Sequence, residues 1–299
     1  MLYMGNVNRV IFWFLIPLVL TFYVAFRLIE WREPYDRGRS EIAMQHIVNL
    51  KKVNNINCLI LGGSNSFFSI SAHQISSSGD LRCYNLSLLN EGYADEAYFD
   101  FIKSAPFNKN DITHIFYSSA YLLSKKAFAD RLENNKNGFN LFGDPSFKLI
   151  SSMSIAVYLE RWLLNKLPPY PHPTSSGDFN FREYGGCNTA SIRDTWFLQE
   201  INSTSINWAN GQISSIKSIF PNAQIYFVLP STLGENYSEA EFSKFTKSLR
   251  QEIIKQSVFF IEQTPFSDRS VLCDGAHHAN RIGREIRTRE LIAIFKNME

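Results

Sequence analysis

The sequence lacks the charge asymmetry and the motifs that mark several large classes of protein. Its 30 lysines and arginines nearly balance its 28 aspartates and glutamates, and the positive residues are scattered rather than collected into a stripe. Because binding to nucleic acid depends on concentrated positive charge, we expect no nucleic-acid partner. No internal repeat and no low-complexity tract interrupts the 299 residues, which are enough for one large domain or two modest ones.

Cysteine is scarce, and its spacing indicates no metal site. The four cysteines are Cys58, Cys83, Cys187 and Cys273. They form no Cys-x-x-Cys pair and no metal-holding combination with histidine, and no Gly-Lys-Ser/Thr phosphate loop is present, so we expect no metal and no cofactor. Cys58 falls in an apolar run that predicts a buried strand. Free buried thiols are therefore the simpler expectation, and a single disulfide is the alternative.

Charged residues are absent from the apolar run VIFWFLIPLVLTFYVAF at residues 10–26. Its length is near the lower limit for a membrane-spanning helix, and its proline is tolerated in such a helix. No small-x-small cleavage site follows, as would be expected after a signal peptide. We therefore interpret residues 1–30 as an uncleaved N-terminal transmembrane anchor, with a cleaved signal peptide as the alternative.

Charge does not determine the side of the membrane on which the C-terminal part lies. One arginine precedes the apolar run, and four follow it within residues 27–39. The positive-inside rule taken alone favours a cytoplasmic C-terminal domain, but long domains cross the membrane largely regardless of charge. Both orientations are therefore open on the residues alone.

Short apolar runs alternate with helical patterns over most of the remaining chain. Residues 31–56 are interpreted as a linker that passes into an amphipathic helix. The alternation predicts an α/β fold over residues 57–299, a three-layer sandwich with a central parallel sheet flanked by helices. Strands are predicted at residues 56–63, 81–89, 113–119, 224–230 and 258–262, and helices at 91–105, 206–223, 238–256 and 280–298.

Residues 120–200 break this alternation. They contain the Pro/Gly-rich stretch LPPYPHPTSSGDFNFREYGG at residues 167–186. An irregular segment of this length inside a compact domain is typical of functional or mobile loops. We interpret it as an insertion that lines a functional site, and a surface excursion without a role is the alternative.

The stretch CLILGGSNS at residues 58–66 places a serine where an α/β sheet presents its functional groups. Ligands lie at the carboxyl ends of the strands in such sheets, and the glycine pair allows a tight turn there. Ser64 would stand above the sheet, close to backbone N–H groups that stabilise an oxyanion. Ser66 occupies the last position of a Gly-x-Ser-x-Gly elbow, so that motif is absent. An ordinary turn is the structural alternative.

A second set of reactive side chains follows the last predicted strand, in CDGAHHANRIGRE at residues 273–285. A serine hydroxyl becomes a nucleophile when a base removes its proton, and a carboxylate holds that base in the correct tautomer. Asp274 and His277, three residues apart, supply both groups from one turn. The alternative is a capping aspartate followed by solvated histidines at the start of a helix.

Together, LILGGSNS and DGAHHANRIG resemble the SGNH/GDSL hydrolase family, over about residues 57–296. The resemblance implies that Ser64 is the nucleophile, Asp274 the orienting acid and His277 the base. In that family a glycine often follows the histidine by five residues. In this sequence Gly283 lies five residues after His278, so His278 is the alternative base.

The resemblance also implies an oxyanion hole, which this sequence matches in part. The N–H of Ser64 would supply one donor. Asn90 or Gly92 would take the place of the family's glycine after the second strand. The family's asparagine after the third strand is absent, and Ser118 and Ser119 stand there instead.

A single N-terminal span before an SGNH-like domain resembles bacterial envelope proteins that add or remove acyl groups on surface polysaccharides. This implies a serine esterase or O-acyltransferase anchored in the bacterial inner membrane, with a periplasmic domain, a polysaccharide or acyl-sugar substrate and other envelope acylation proteins as partners. The alternatives are a catalytically inactive binding or scaffold protein and a cytoplasm-facing enzyme. Aromatic residues of the insertion would stack on sugar rings or pack internally: Tyr170, Phe179, Phe181 and Tyr184.

Overall fold

The chain folds around a five-stranded sheet in which every neighbouring pair of strands is parallel. The predicted α/β class, with a parallel sheet flanked by helices, is confirmed. The computed structural model describes residues 42–89, 95–120, 172–182 and 203–298, except 44 and 256, together with Tyr184, Cys187 and a few positions within 13–23. The strands are β1 (Cys58–Gly62), β2 (Cys83–Asn85), β3 (His114–Ser118), β4 (Gln224–Val228) and β5 (Phe259–Ile261). The α-helices around the sheet, within the described residues, are α1 (residues 42–50, of which 44 is not described), α2 (Ser64–Ser69), α3 (Ala72–Ser76), α4 (Asp95–Ser104), α5 (Ser203–Ile219), α6 (Glu239–Ile254) and α7 (Arg281–Lys296).

The sheet order is β2-β1-β3-β4-β5, so the direction of strand addition reverses between β1 and β3. All five strands are parallel, and their carboxyl ends therefore lie along one edge. Ligands of open α/β sheets bind at this edge, next to such a reversal. The loop after β1, which carries Ser64, lies at that position.

Both faces of the sheet are buried, which explains the continuous apolar sequence of its strands. In β1, Leu59 and Leu61 face one core, whereas Cys58 and Ile60 face the other. The first core is covered by α1, α4, α5 and α6, and the second by α3 and α7. Helices thus enclose both faces of the sheet, and the carboxyl edge is left to the loops.

Helix α1 lies where an amphipathic helix is predicted within residues 31–56, and it packs against the sheet. Ile42, Ala43 and Leu50 are at most 2% exposed and lie in the same core as β1. The packing of the domain therefore begins before residue 57. Most of residues 1–30, where the membrane anchor is predicted, lie outside the described residues, and in the part of the chain that is described no helix has the length and apolar character to cross a membrane.

All four cysteines are paired, which corrects the expectation of free buried thiols. The disulfide Cys58–Cys83 joins β1 to β2, where the two residues are direct partners in the parallel register and their Cα atoms lie 4.3 Å apart. The disulfide Cys187–Cys273 joins the insertion to the residue before Asp274. The pairing follows from strand register and from the path of the insertion, and neither is visible in cysteine spacing.

His46 on α1 is a neutral, fully buried side chain. Its Nδ1 lies 3.0 Å from Tyr84 Oη, and its Nε2 lies 3.2 Å from the carbonyl oxygen of Ser87. Burial lowers the pKa of His46 from 6.5 to about 3, and the hydrogen bond to Ser87 opposes this only in part. The unfolded chain therefore binds a proton that the folded protein excludes.

We expect the free energy of unfolding to fall as the pH drops below the ordinary histidine pKa of 6.5. Because the pKa of His46 is lower in the folded state, this contribution is lost between pH 6.5 and about 3, at about 1.4 kcal/mol per pH unit. Urea unfolding at a series of pH values from neutral to mildly acidic should show a shallower slope for His46→Gln. His73→Gln, which changes an exposed ring, serves as the control. An unchanged slope in His46→Gln would contradict the prediction.

Candidate active site

Ser64 is the first residue of α2 and follows β1 through a turn at Gly62 and Gly63. Gly62 has a φ of +138°, and its N–H donates to Tyr98 Oη at 2.9 Å. A Cβ atom added to Gly62 would lie 2.1 Å from the carbonyl oxygen of Ser118, so the close approach of β1 to β3 requires glycine. This turn presents Ser64, which is partly exposed, at the carboxyl edge of the sheet.

His278 links Ser64 to Asp274. Its Nε2 lies 2.8 Å from Ser64 Oγ, and its Nδ1 lies 2.7 Å from Asp274 Oδ1. These distances suit a general base and the carboxylate that orients it. When Nδ1–H donates to Asp274, the unprotonated Nε2 accepts the hydrogen bond from the Ser64 hydroxyl, and the network assigns this tautomer. Two segments that are distant in the sequence therefore meet at one edge of the sheet.

His278, the alternative base, makes the contacts with Ser64 and Asp274, and the preferred His277 does not make them. Residues 274–278 form a turn rather than a helix: the N–H of His278 donates to the Gly275 carbonyl at 3.1 Å, and the N–H of Cys273 donates to the His278 carbonyl at 2.8 Å. Because of this turn, the side chain that contacts the Asp274 carboxylate is that of His278 and not that of His277. His277 is 9% exposed, and burial lowers its pKa well below the usual value, with a further lowering by His278.

Asp274 is a partly buried carboxylate with a hydrogen bond on each oxygen. Oδ1 contacts His278, and Oδ2 accepts from the hydroxyl of Tyr184 at 3.2 Å. Burial alone would raise the pKa of Asp274, but the hydrogen bonds and the charge interaction with His278, together with Tyr184, outweigh it and lower the pKa. The group is therefore ionised at neutral pH and can stabilise a protonated His278.

The described part of the insertion packs against the site. The ring of His278 stacks on Phe68 with centroids 4.5 Å apart, and Phe68 stacks on Phe179 at 4.0 Å. Phe179 is 0% exposed, so it is a packing residue and not a sugar platform. Tyr184 is hydrogen-bonded to Asp274, so residues of the insertion contact Asp274 directly and support His278 through Phe68. Tyr170 lies outside the described residues.

The two alternatives for the glycine of the oxyanion hole, Asn90 and Gly92, lie outside the described residues. Ser118, at the end of β3, accepts a hydrogen bond at 2.8 Å from Asn65 Nδ2. The buried amide of Asn65 thereby connects the first turn of α2 to β3. The N–H of Ser64 belongs to that first turn, where N–H groups have no acceptor within the helix.

No family model and no curated protein matches this chain. The chemical interpretation of the site therefore depends on its own geometry. Two of its residues, Tyr184 and Asn65, could not be assigned from the sequence, because each acts through a contact with a segment that is remote along the chain.

Proposed function

We propose that this protein is a membrane-anchored serine esterase or O-acyltransferase of the SGNH type, acting on acyl groups, chiefly acetyl, of a cell-surface polysaccharide. The observation that carries the proposal is the continuous chain of hydrogen bonds from Ser64 Oγ through His278 to Asp274. A serine in this arrangement is activated for nucleophilic attack on an ester carbonyl.

The reaction would proceed through an acyl-enzyme. His278 Nε2 takes the proton of Ser64 as Oγ bonds to the ester carbon, and the negative charge moves to the carbonyl oxygen near the N–H of Ser64. Collapse of this intermediate breaks the ester bond, and His278 returns the proton to the leaving alcohol. Water or a sugar hydroxyl then attacks the acyl-serine and gives its proton to His278; the bond between Oγ and the acyl carbon breaks, and His278 returns the proton to Ser64. Asp274 keeps the imidazole in the required tautomer throughout.

The two disulfides support an extracytoplasmic position for this domain. Disulfides persist in oxidising compartments such as the periplasm and are rare in the cytosol. The pairs Cys58–Cys83 and Cys187–Cys273 account for every cysteine of the chain. Together with the apolar run at residues 10–26, they favour an anchored periplasmic enzyme over a cytoplasm-facing one.

Labelling with a fluorophosphonate probe tests the proposed nucleophile. We expect the wild-type protein to be labelled and Ser64→Ala to lose labelling completely, because the probe forms its bond with an activated serine oxygen. Ser66→Ala is the matched control, since Ser66 lies two residues away in the same helix and donates to the Gly63 carbonyl instead of to a histidine. Equal labelling of the wild type and Ser64→Ala would refute the proposal.

The second candidate function is that of a catalytically inactive binding or scaffold protein. Its partners would be other acylation proteins of the envelope. The observation that favours it is the serine pair at the end of β3, where the family has an asparagine, with Ser118 engaged by Asn65. It predicts no hydrolysis of p-nitrophenyl acetate above background, and polysaccharide binding that Ser64→Ala leaves unchanged. Hydrolysis that depends on Ser64 would exclude it.

A further inference from the structure

A cavity of about 880 Å³ lies beside the candidate active site. It is open to solvent, and its wall is formed by α7, by the start of α3 and by residues 174–182 of the insertion. Neither Ser64 nor His278 lines it, so the cavity is separate from the reacting groups. Its volume is in the range of sites that hold organic ligands. We call it the arginine cavity, because its lining includes Arg182, Arg281, Arg284 and Arg289.

The arginine cavity has an excess of positive charge. Its two carboxylates are already engaged: Asp178 accepts from the Ala72 N–H at 2.7 Å and from the Ser71 hydroxyl at 2.8 Å, and Glu285 lies 3.9 Å from Arg281. Within the described part of the chain, Arg182, Arg284 and Arg289 form no ion pair. Four arginines against two carboxylates leave the lining with a net positive charge, which a ligand of negative charge would complement.

The first turn of α7 adds positive charge to the arginine cavity and no negative charge. The N-terminus of a helix carries partial positive charge and is stabilised by acidic side chains. The first turn of α7 has none, and Arg281 is its first residue. Arg284 follows one turn later, where it donates to the Phe179 carbonyl at 2.7 Å and lies over the ring of Phe181, and burial lowers its pKa. Asp178 and Glu285 oppose this lowering of the pKa, and Arg281 adds to it.

The arginines are spread along α7 rather than gathered around one point. Arg281 and Arg289 are eight residues apart on the same face, which separates them by about 12 Å along the axis. Planar guanidinium groups bind carboxylate and phosphate through paired hydrogen bonds. Ser175 and Asn180, which also line the cavity, are suited to sugar hydroxyls. This arrangement fits an extended chain with repeated negative charges better than it fits a single ion.

Two stacked aromatic rings, those of Phe179 and Phe68, connect the wall of the arginine cavity to His278. Phe179 lines the cavity and stacks on Phe68, whose ring also stacks on His278. We propose that the arginine cavity binds an anionic segment of a polysaccharide, bearing carboxylate or phosphate groups, and holds that chain beside Ser64. The choice of a polysaccharide rests on the proposed function, whereas the binding of an anionic chain does not.

Binding can be measured directly on the full chain carrying Ser64→Ala, so that no turnover interferes. The probes for isothermal titration calorimetry are hexagalacturonate, its fully methyl-esterified form and inorganic polyphosphate. We expect at least one of the anions to bind about tenfold or more tightly than the neutral ester, and to bind more weakly at high salt. Galacturonate and polyphosphate separate carboxylate from phosphate as the recognised group.

Two double variants show whether the cavity is the binding site. Arg281→Gln with Arg289→Gln should weaken anion binding by about tenfold or more, and neither exposed side chain supports the core. Lys244→Gln with Lys247→Gln removes the same charge from the exposed face of α6 and should leave binding unchanged. Binding of neither anion, equal binding of the methyl ester, or equal loss in both double variants would overturn the proposal. If the protein binds the anion but fluorophosphonate does not label Ser64, the result would support anion binding by the arginine cavity and reject only the proposed enzymatic activity.

Discussion

Replacing Asp274 with asparagine is expected to lower kcat for ester hydrolysis by about 10³- to 10⁴-fold, with a much smaller effect on KM. Asp274 Oδ1 contacts His278 Nδ1 at 2.7 Å, and its lowered pKa keeps the carboxylate ionised. An asparagine has no charge to stabilise the imidazolium. Its amide can also donate to Nδ1, which moves the ring proton to Nε2 and removes the acceptor that Ser64 needs.

Tyr184→Phe is the matched control for this prediction. It removes the hydrogen bond to Asp274 Oδ2, at 3.2 Å, and leaves the bond between Asp274 and His278 in place. A hydrogen bond to a charged carboxylate contributes about 1.5–3 kcal/mol, so kcat should fall by about 10- to 100-fold, less than in Asp274→Asn. Rates of p-nitrophenyl acetate hydrolysis, with circular dichroism to verify folding, check both variants. A rate for Asp274→Asn within about tenfold of the wild-type rate would contradict a role for the Asp274 carboxylate in the mechanism.

The sheet was predictable because its strands are buried on both faces. Runs such as CLILG and QIYFV are apolar almost throughout, whereas a surface helix alternates apolar and polar residues. The helices between the strands are long, and their apolar residues recur with helical periodicity. The short helices α2 and α3 were not predicted. The sequence of α2, SNSFFS, is rich in residues that favour turns, and its helical form depends on the burial of Phe67 and Phe68.

The site was predictable in its residue types but not in its detailed geometry. Ser64 could be found because it closely follows a strand that the sequence reveals, and Asp274 because it shortly precedes the last periodic helix. The choice between His277 and His278 depends on whether residues 274–278 form a helix or a turn, and the spacing of side chains does not determine that. Tyr184 could not be assigned, because its contact with Asp274 depends on the path of the insertion, which the Cys187–Cys273 disulfide constrains.

Gly62→Ala is expected to destabilise the protein by about 3 kcal/mol or more, the combined effect of backbone strain and overpacking. The φ of +138° is unfavourable for any residue with a Cβ atom. The added methyl group would lie 2.1 Å from the Ser118 carbonyl oxygen and 2.4 Å from Ser66 Oγ. The first contact is with the backbone of a central strand, so relief requires β1 and β3 to separate.

Replacing Gly211 with alanine should change the free energy of unfolding in the opposite direction. Gly211 lies within α5 and has no atom within 4 Å of an added Cβ, so alanine there should stabilise the protein by about 0.5–1 kcal/mol. Urea unfolding measures both variants, and fluorophosphonate labelling reports on the site. Because Gly62 immediately precedes the turn that positions Ser64, Gly62→Ala should also label more slowly under conditions where it is still folded. Equal stabilities for the two variants would show that the approach of β1 to β3 at Gly62 does not constrain the fold.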